Sequence, residues 1–130
     1  MSHRAIVLDS SAWIEYTLDG PNALHYAKAL AASPNHIIVP SICVFEVYRS
    51  IERIVSVKEA LAVTMSMQMF TLDELSASRA REAAMISRTH MLSTADAIIY
   101  ATTLAHNADL LTQDADFMKL PHVRYFKHIR

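Results

Sequence analysis

Ala5-Ile6-Val7-Leu8-Asp9-Ser10-Ser11-Ala12-Trp13-Ile14-Glu15 is the stretch that decides the fold class. Its first four residues are apolar and partly β-branched, with no polar residue alternating among them, so they read as a strand buried on both faces. The run stops at Asp9. Ser10 or Ser11 can cap the helix that follows, through Trp13, Ile14 and Tyr16 to the Gly20-Pro21 break. A buried strand that leads straight into a helix is the opening half of a parallel crossover unit.

The alternation continues along the chain. A second helix carries Leu24, Ala27, Leu30 and Ala31 on one face and stops near Ser33-Pro34. Ile37-Ile38-Val39 is a second buried strand closed by Pro40, and Ser41 caps a third helix through Val44, Phe45, Val47, Tyr48 and Ile51. A fourth helix spans Val57 to Met69 with a methionine-rich face (Met65, Met69), followed by a short strand at Phe70-Thr71-Leu72. Asp73 caps a long helix that reaches Thr89, and Ser93 or Thr94 opens another, dense in Ile98, Ile99, Ala101, Thr102 and Leu104. Asp109-Leu110-Leu111-Thr112 and Val123-Arg124-Tyr125-Phe126 are the last strands, with a turn or short helix from Asp116 to Leu120 between them. Strands separated by helical crossovers predict an α/β domain with a mostly parallel sheet of about four to five strands, flanked by helices. No repeat or linker divides residues 1–130, so one domain is expected.

Composition removes several functions. Apolar residues make up 52% of the 130 and charged ones 19%, which is a globular balance. A net charge of −1 excludes a nucleic-acid binder that works by bulk electrostatics alone. It leaves open an RNA-processing enzyme whose metal ions offset phosphate repulsion locally. Gly20 is the only glycine, so a P-loop or dinucleotide fingerprint is excluded. Cys43 is the only cysteine, which rules out an internal disulfide and fits a reducing compartment. No signal sequence or membrane-length apolar run is visible, and a cytoplasmic protein with no membrane partner is expected. The seven histidines, His3, His25, His36, His90, His106, His122 and His128, lack ligand spacing, which argues against zinc.

Chain direction then places four carboxylates. Asp9 ends the first strand and Asp114 follows the strand that ends at Thr112, so both belong at the sheet's carboxyl edge. Glu46 sits in the second turn of the helix that leaves the second strand. Asp96 opens a helix that must finish where the Leu110 strand begins, so its start lies at that same edge. Each acid alone has an ordinary structural role. Asp9 can help cap a helix, and Ser93-x-x-Asp96 resembles a capping box. Glu46, Arg49, Ser50 and Arg53 can form a solvated stripe, and Asp114 and Asp116 can form Asx turns. Those roles do not explain convergence. Clustered carboxylates without matching cations imply a bound hard cation, magnesium or manganese, and open α/β sheets bind ligands at that edge.

These residues resemble the PIN-domain ribonucleases, specifically the VapC-type toxins of toxin–antitoxin pairs. The resemblance is carried by Ile6 to Glu15, by Val39-Pro40-Ser41 leading to Glu46-Val47, by Leu92-Ser93-Thr94-Ala95-Asp96-Ala97 and by Ala108 to Phe117. It implies a three-layer PIN-like domain over nearly the whole chain. Asp9, Glu46, Asp96 and Asp114 match the family's catalytic, metal-binding quartet. Asp116 falls on an often acidic position behind them, and Ser11 and Thr112 match hydroxyls that position the first aspartate. The implied activity is endoribonucleolytic cleavage of single-stranded RNA. One or two Mg2+ or Mn2+ ions activate a water, and the products carry a 5′-phosphate and a 3′-hydroxyl. Arg49 and Arg53 are then candidates for the RNA backbone. A homodimer and a small cognate antitoxin that blocks the groove are the implied protein partners.

Other functions fit less well. A phospho-aspartate phosphatase wants a second aspartate two residues after Asp9, where Ser11 stands, and a receiver domain wants an acidic pair on that loop. A non-catalytic PIN-like binding module would be expected to lose acidic positions. A housekeeping PIN nuclease shares the same active site and is separated from a toxin only by its partners.

Overall fold

The computed structural model describes residues 4–129; His3 lies outside them. Five strands form one sheet in the order β3-β2-β1-β4-β5, with every neighbouring pair parallel. They are β1 (Ala5–Leu8), β2 (Ile37–Pro40), β3 (Thr71–Asp73), β4 (Ala108–Thr112) and β5 (Val123–Tyr125). Six helices make the crossovers: α1 (Ser10–Thr17), α2 (Ala23–Ala32), α3 (Ser41–Ile54), α4 (Val57–Met67), α5 (Ala77–His90) and α6 (Thr94–Ala105). The expected three-layer α/β arrangement is therefore present, with the sheet wholly parallel. None of the helices among the described residues is long and apolar enough to cross a membrane.

The three central strands are buried almost throughout, as their unbroken apolar runs require. Leu8, Val39 and Leu111 meet Trp13, Val47, Ile51 and Ile99 in one core. The chain builds outward from β1 in both directions, so the strand order reverses between β1 and β4. Register sets Ile6 opposite Ile37 and Asp109, and Leu8 opposite Leu111. Asp9 and Thr112 therefore leave the sheet side by side at the switch point.

Several local expectations are corrected. The cap of α1 is Asp9 itself: its backbone is extended, and its carboxylate accepts from the Ala12 amide. Ser10 and Ser11 are thereby left inside the first turn. Ser41 does not cap α3, which follows Pro40 without a side-chain cap; its hydroxyl accepts from the Leu75 amide instead. Ser76, not Asp73, caps α5. Asp73 ends β3, where Arg79 donates two hydrogen bonds to it and His106 Nε2 lies 2.6 Å away. The buried stripe of α2 is Ala23, Tyr26 and Leu30, and Leu24 is exposed. Tyr26 can be buried because its hydroxyl reaches Gln113 and its ring meets Phe126 edge-on. On α4 the methionine face divides, with Met67 buried and Met65 exposed; Met69, just beyond the helix, is exposed too.

Candidate metal centre at the switch point

Asp9 is the most constrained acid of the site. Its Oδ1 accepts from Ser11 Oγ at 2.8 Å and from the Ala12 amide at 2.9 Å, and its Oδ2 accepts from Thr112 Oγ1 at 2.6 Å. Three donors would normally favour the carboxylate. Burial outweighs them, and with the Asp114 charge nearby it pushes the Asp9 pKa up to about 7. Thr112 also accepts from the Asp114 amide at 2.9 Å. One hydroxyl thus ties the end of β1 to the loop that follows β4.

Asp114 in turn caps the 3-10 turn Ala115–Phe117, accepting from the Asp116 amide at 2.9 Å. Asp96 stands in the first turn of α6, whose cap Ser93 accepts from the Asp96 amide at 3.4 Å. Partial burial, the charge of Asp114, and then those of Asp116 and Glu46 push the Asp96 pKa up to about 6. Asp96, Asp114 and Asp116 each present a carboxylate oxygen, and all three oxygens lie within 4.8 Å of one another.

The structure thus brings together Asp96, Asp114 and Asp116. Asp9 borders this group through Thr112, and Glu46 lies close enough for its charge to act on Asp96. Asp116, read from sequence as lying behind the ligands, stands level with two of them. Glu46 is set back on α3, where it accepts from Ser10 Oγ at 2.6 Å. That contact was not foreseen, although Ser10's place directly after Asp9 was a usable signal. Gln113 was also missed. Its amide faces Ser11 Oγ at 3.4 Å, and its side chain accepts from Asn22 and Tyr26 and meets His128. Arg49 and Arg53 are exposed on α3, with the Arg49 guanidinium 5.0 Å from the centre of the Phe45 ring. Trp13 is a core residue packed against Tyr16 and Phe70.

A group of carboxylate oxygens without thiolate or imidazole fits a hard divalent cation that completes its shell with water. Cys43 is buried beside Leu8 and takes no place in the group. Burial and the charges of Asp9, Glu46 and Asp96 raise its pKa, keeping it a neutral thiol.

A family model described as PIN domain matches residues 6–123. The chain belongs to the PIN domain family. No curated protein sequence matches this PIN domain. Among solved structures, a toxin–antitoxin complex from Klebsiella pneumoniae is similar over 95% of this chain and 100% of the matched one, with 22% identity and a TM-score of 0.78. DNA-bound VapBC from Salmonella typhimurium matches over 96% and 98%, at 15% identity and a TM-score of 0.76. A sarcin–ricin loop cleaving VapC toxin from Mycobacterium tuberculosis matches over 90% and 95%, at 20% identity and a TM-score of 0.73. At these identities the likeness shows the shared fold.

Proposed function

We propose that this PIN domain is a divalent-metal-dependent endoribonuclease and the toxin of a VapC-type toxin–antitoxin pair. The observation that carries the reading is the meeting of Asp96, Asp114 and Asp116 oxygens within 4.8 Å at the switch point, beside the hydroxyl-held Asp9. Asp9, Asp96, Asp114 and Asp116 would hold Mg2+ or Mn2+, with Glu46 at the margin. When bound, such an ion supplies Lewis-acid polarisation of the phosphoryl oxygens and cancels charge among the carboxylates.

The chain's own groups orient the reaction. Thr112 Oγ1 donates a hydrogen bond to Asp9 and accepts one from the Asp114 amide, so the two acids keep one relative placement. Ser11 and the Ala12 amide hold the other Asp9 oxygen. Water attacks phosphorus in line as the P–O3′ bond breaks; the departing oxygen takes a proton to become the 3′-hydroxyl, and phosphate stays on the 5′ side. Arg49 and Arg53, one and two turns beyond Glu46, would bind the strand's phosphates. The exposed apolar residues Ile54, Val57, Leu61 and Met65 offer a surface for a second copy or an antitoxin in the cytoplasm.

The test is cleavage of single-stranded RNA by purified protein with Mg2+ or Mn2+. Activity is expected to stop in EDTA and to fall by orders of magnitude in Asp96→Asn with the fold intact. Cleavage that persists in EDTA, or at the wild-type rate in Asp96→Asn, would falsify the mechanism. Expression of the active chain alone is expected to arrest growth, and co-expression of a small antitoxin gene, sought next to its own, to relieve it. A harmless active nuclease would instead indicate a housekeeping role.

A further inference from the structure

A second feature lies on the sheet face covered by α2. A cavity of about 510 Å3 there is walled by Arg4, His25, Lys28, Asp109, Arg124 and Phe126, among others. That is the size of a small-ligand site, roughly 300–1,000 Å3. Arg4 precedes β1 and Asp109 is the second residue of β4, so one end of the cavity lies at the amino half of the sheet, whereas Leu111 and Phe126 carry it up to the carboxyl edge, where the Phe126 amide donates to the Thr112 carbonyl at 2.8 Å. From Asp109 to Thr112 the strand rises about 10 Å toward the metal centre.

The charges are arranged around one carboxylate. Arg4 Nε donates to Asp109 Oδ1 at 2.8 Å, and Arg124 Nη2 stands 3.7 Å from Asp109 Oδ2. Lys28 has no carboxylate partner among the described residues. The wall therefore holds an excess of two positive charges with its histidine neutral, in a chain whose net charge is −1. Beside these cations the His25 imidazole lies flat on the Phe126 ring, with centroids 4.3 Å apart and planes 18° apart. His25 is exposed. Cations next to a flat aromatic surface suit a phosphate joined to a base.

We propose that this cavity is a nucleotide-binding subsite. Lys28 and Arg124 receive the phosphate, the His25–Phe126 stack receives the base, and Asp109 holds Arg4 and Arg124 in place. The nucleotide belongs either to an RNA strand that continues from the acidic edge or to a free mononucleotide. The RNA-strand form rests on the ribonuclease function proposed above.

The experiment separates these sources without turnover. Binding of a fluorescein-labelled hexaribonucleotide and of adenosine 5′-monophosphate is measured in EDTA, for wild type and for the Lys28→Ala/Arg124→Ala double variant. Melting temperatures confirm folding, and Lys28→Glu, at an exposed position without a carboxylate partner among the described residues, stands in if the double variant melts early. At least tenfold weaker oligonucleotide binding, with a salt slope shallower by about 2, supports the subsite with RNA as its ligand. Weakening confined to the mononucleotide supports the subsite with free nucleotide as its ligand. Equal binding by wild type and variant for both ligands, or no binding by wild type, overturns the proposal. Metal-dependent cleavage is scored separately: its absence alongside variant-sensitive binding removes the nuclease function and leaves the subsite standing.

Discussion

Asp9 and Asp96 carry opposing demands within single side chains. Under the proposed function each would have to be anionic to bind a cation, yet burial and neighbouring acids favour the protonated form. A carboxyl whose folded pKa exceeds its unfolded value binds more protons in the native state, so stability falls as pH rises. Without metal, the loss is expected to begin near pH 4 and to finish above about 6 for Asp96 and about 7 for Asp9. Asp96→Asn or Asp114→Asn removes one repelling charge at nearly constant shape. In EDTA at pH 7 each should exceed wild type in stability by roughly 0.5–2 kcal/mol, a value trimmed for solvent screening at partly exposed groups. Urea titration checks this, and lower stability in both variants would make these acids ordinary caps. Asp9→Asn should behave oppositely, because its amide cannot accept from both Ser11 and Thr112. Thr112→Val should cost about 1–3 kcal/mol for the stranded polar partners and lower cleavage about 10- to 100-fold, as losses of ligand-orienting groups do.

At the scale of elements, two corners hold the frame that aims these residues. Gly20 closes the turn between α1 and α2. A Cβ there would sit 2.1 Å from the Glu15 carboxylate, which is buried and accepts from the Asn22 amide at 3.0 Å. Gly20→Ala must displace that carboxylate and is expected to lower stability by about 1–3 kcal/mol. Thermal melts of Gly20→Ala alone and with Glu15→Gln check whether the two changes are coupled. At the other corner, burial works to raise the Asp73 pKa, but hydrogen bonds from Arg79 and His106 prevail and hold it below the usual carboxylate range. A lowered folded pKa stabilises the fold above the unfolded value and is lost as pH falls. Asp73→Asn should therefore be destabilised at pH 7 by about 1–2 kcal/mol, as expected for charged hydrogen bonds near the surface. The deficit should shrink under acid, the reverse of the Asp96→Asn profile.

For the molecule as a whole, the proposed metal binding would be linked to folding. A cation bound only by the native state stabilises it by about 2.7 kcal/mol at a free concentration one hundred times its dissociation constant. Magnesium should raise the wild-type melting temperature and move Asp96→Asn and Asp114→Asn much less. Equal shifts in all three proteins would place the binding elsewhere.

What the sequence determined by itself was the alternation of buried runs and helices, and with it the parallel sheet and the edge at which Asp9, Asp96 and Asp114 emerge. Those features follow from local periodicity and chain direction, which need no knowledge of side-chain packing. Caps were less legible, because Asp9, Ser10 and Ser11 are all competent acceptors, as are Asp73 and Ser76. The choice fell to partners outside the capping stretch itself: the distant Thr112 for Asp9, and the nearby Arg79 with the distant His106 for Asp73. The face of α2 was misjudged because Tyr26 is buried only where Gln113 can satisfy its hydroxyl. Tertiary structure alone decided that Asp116 joins Asp96 and Asp114 while Glu46 stands back on Ser10. It also decided that Arg4 and Arg124 meet at Asp109 in a cavity that Lys28 lines too. These positions lie up to 120 residues apart, and only the register of the sheet and the packing of α2 on it set the distances between them.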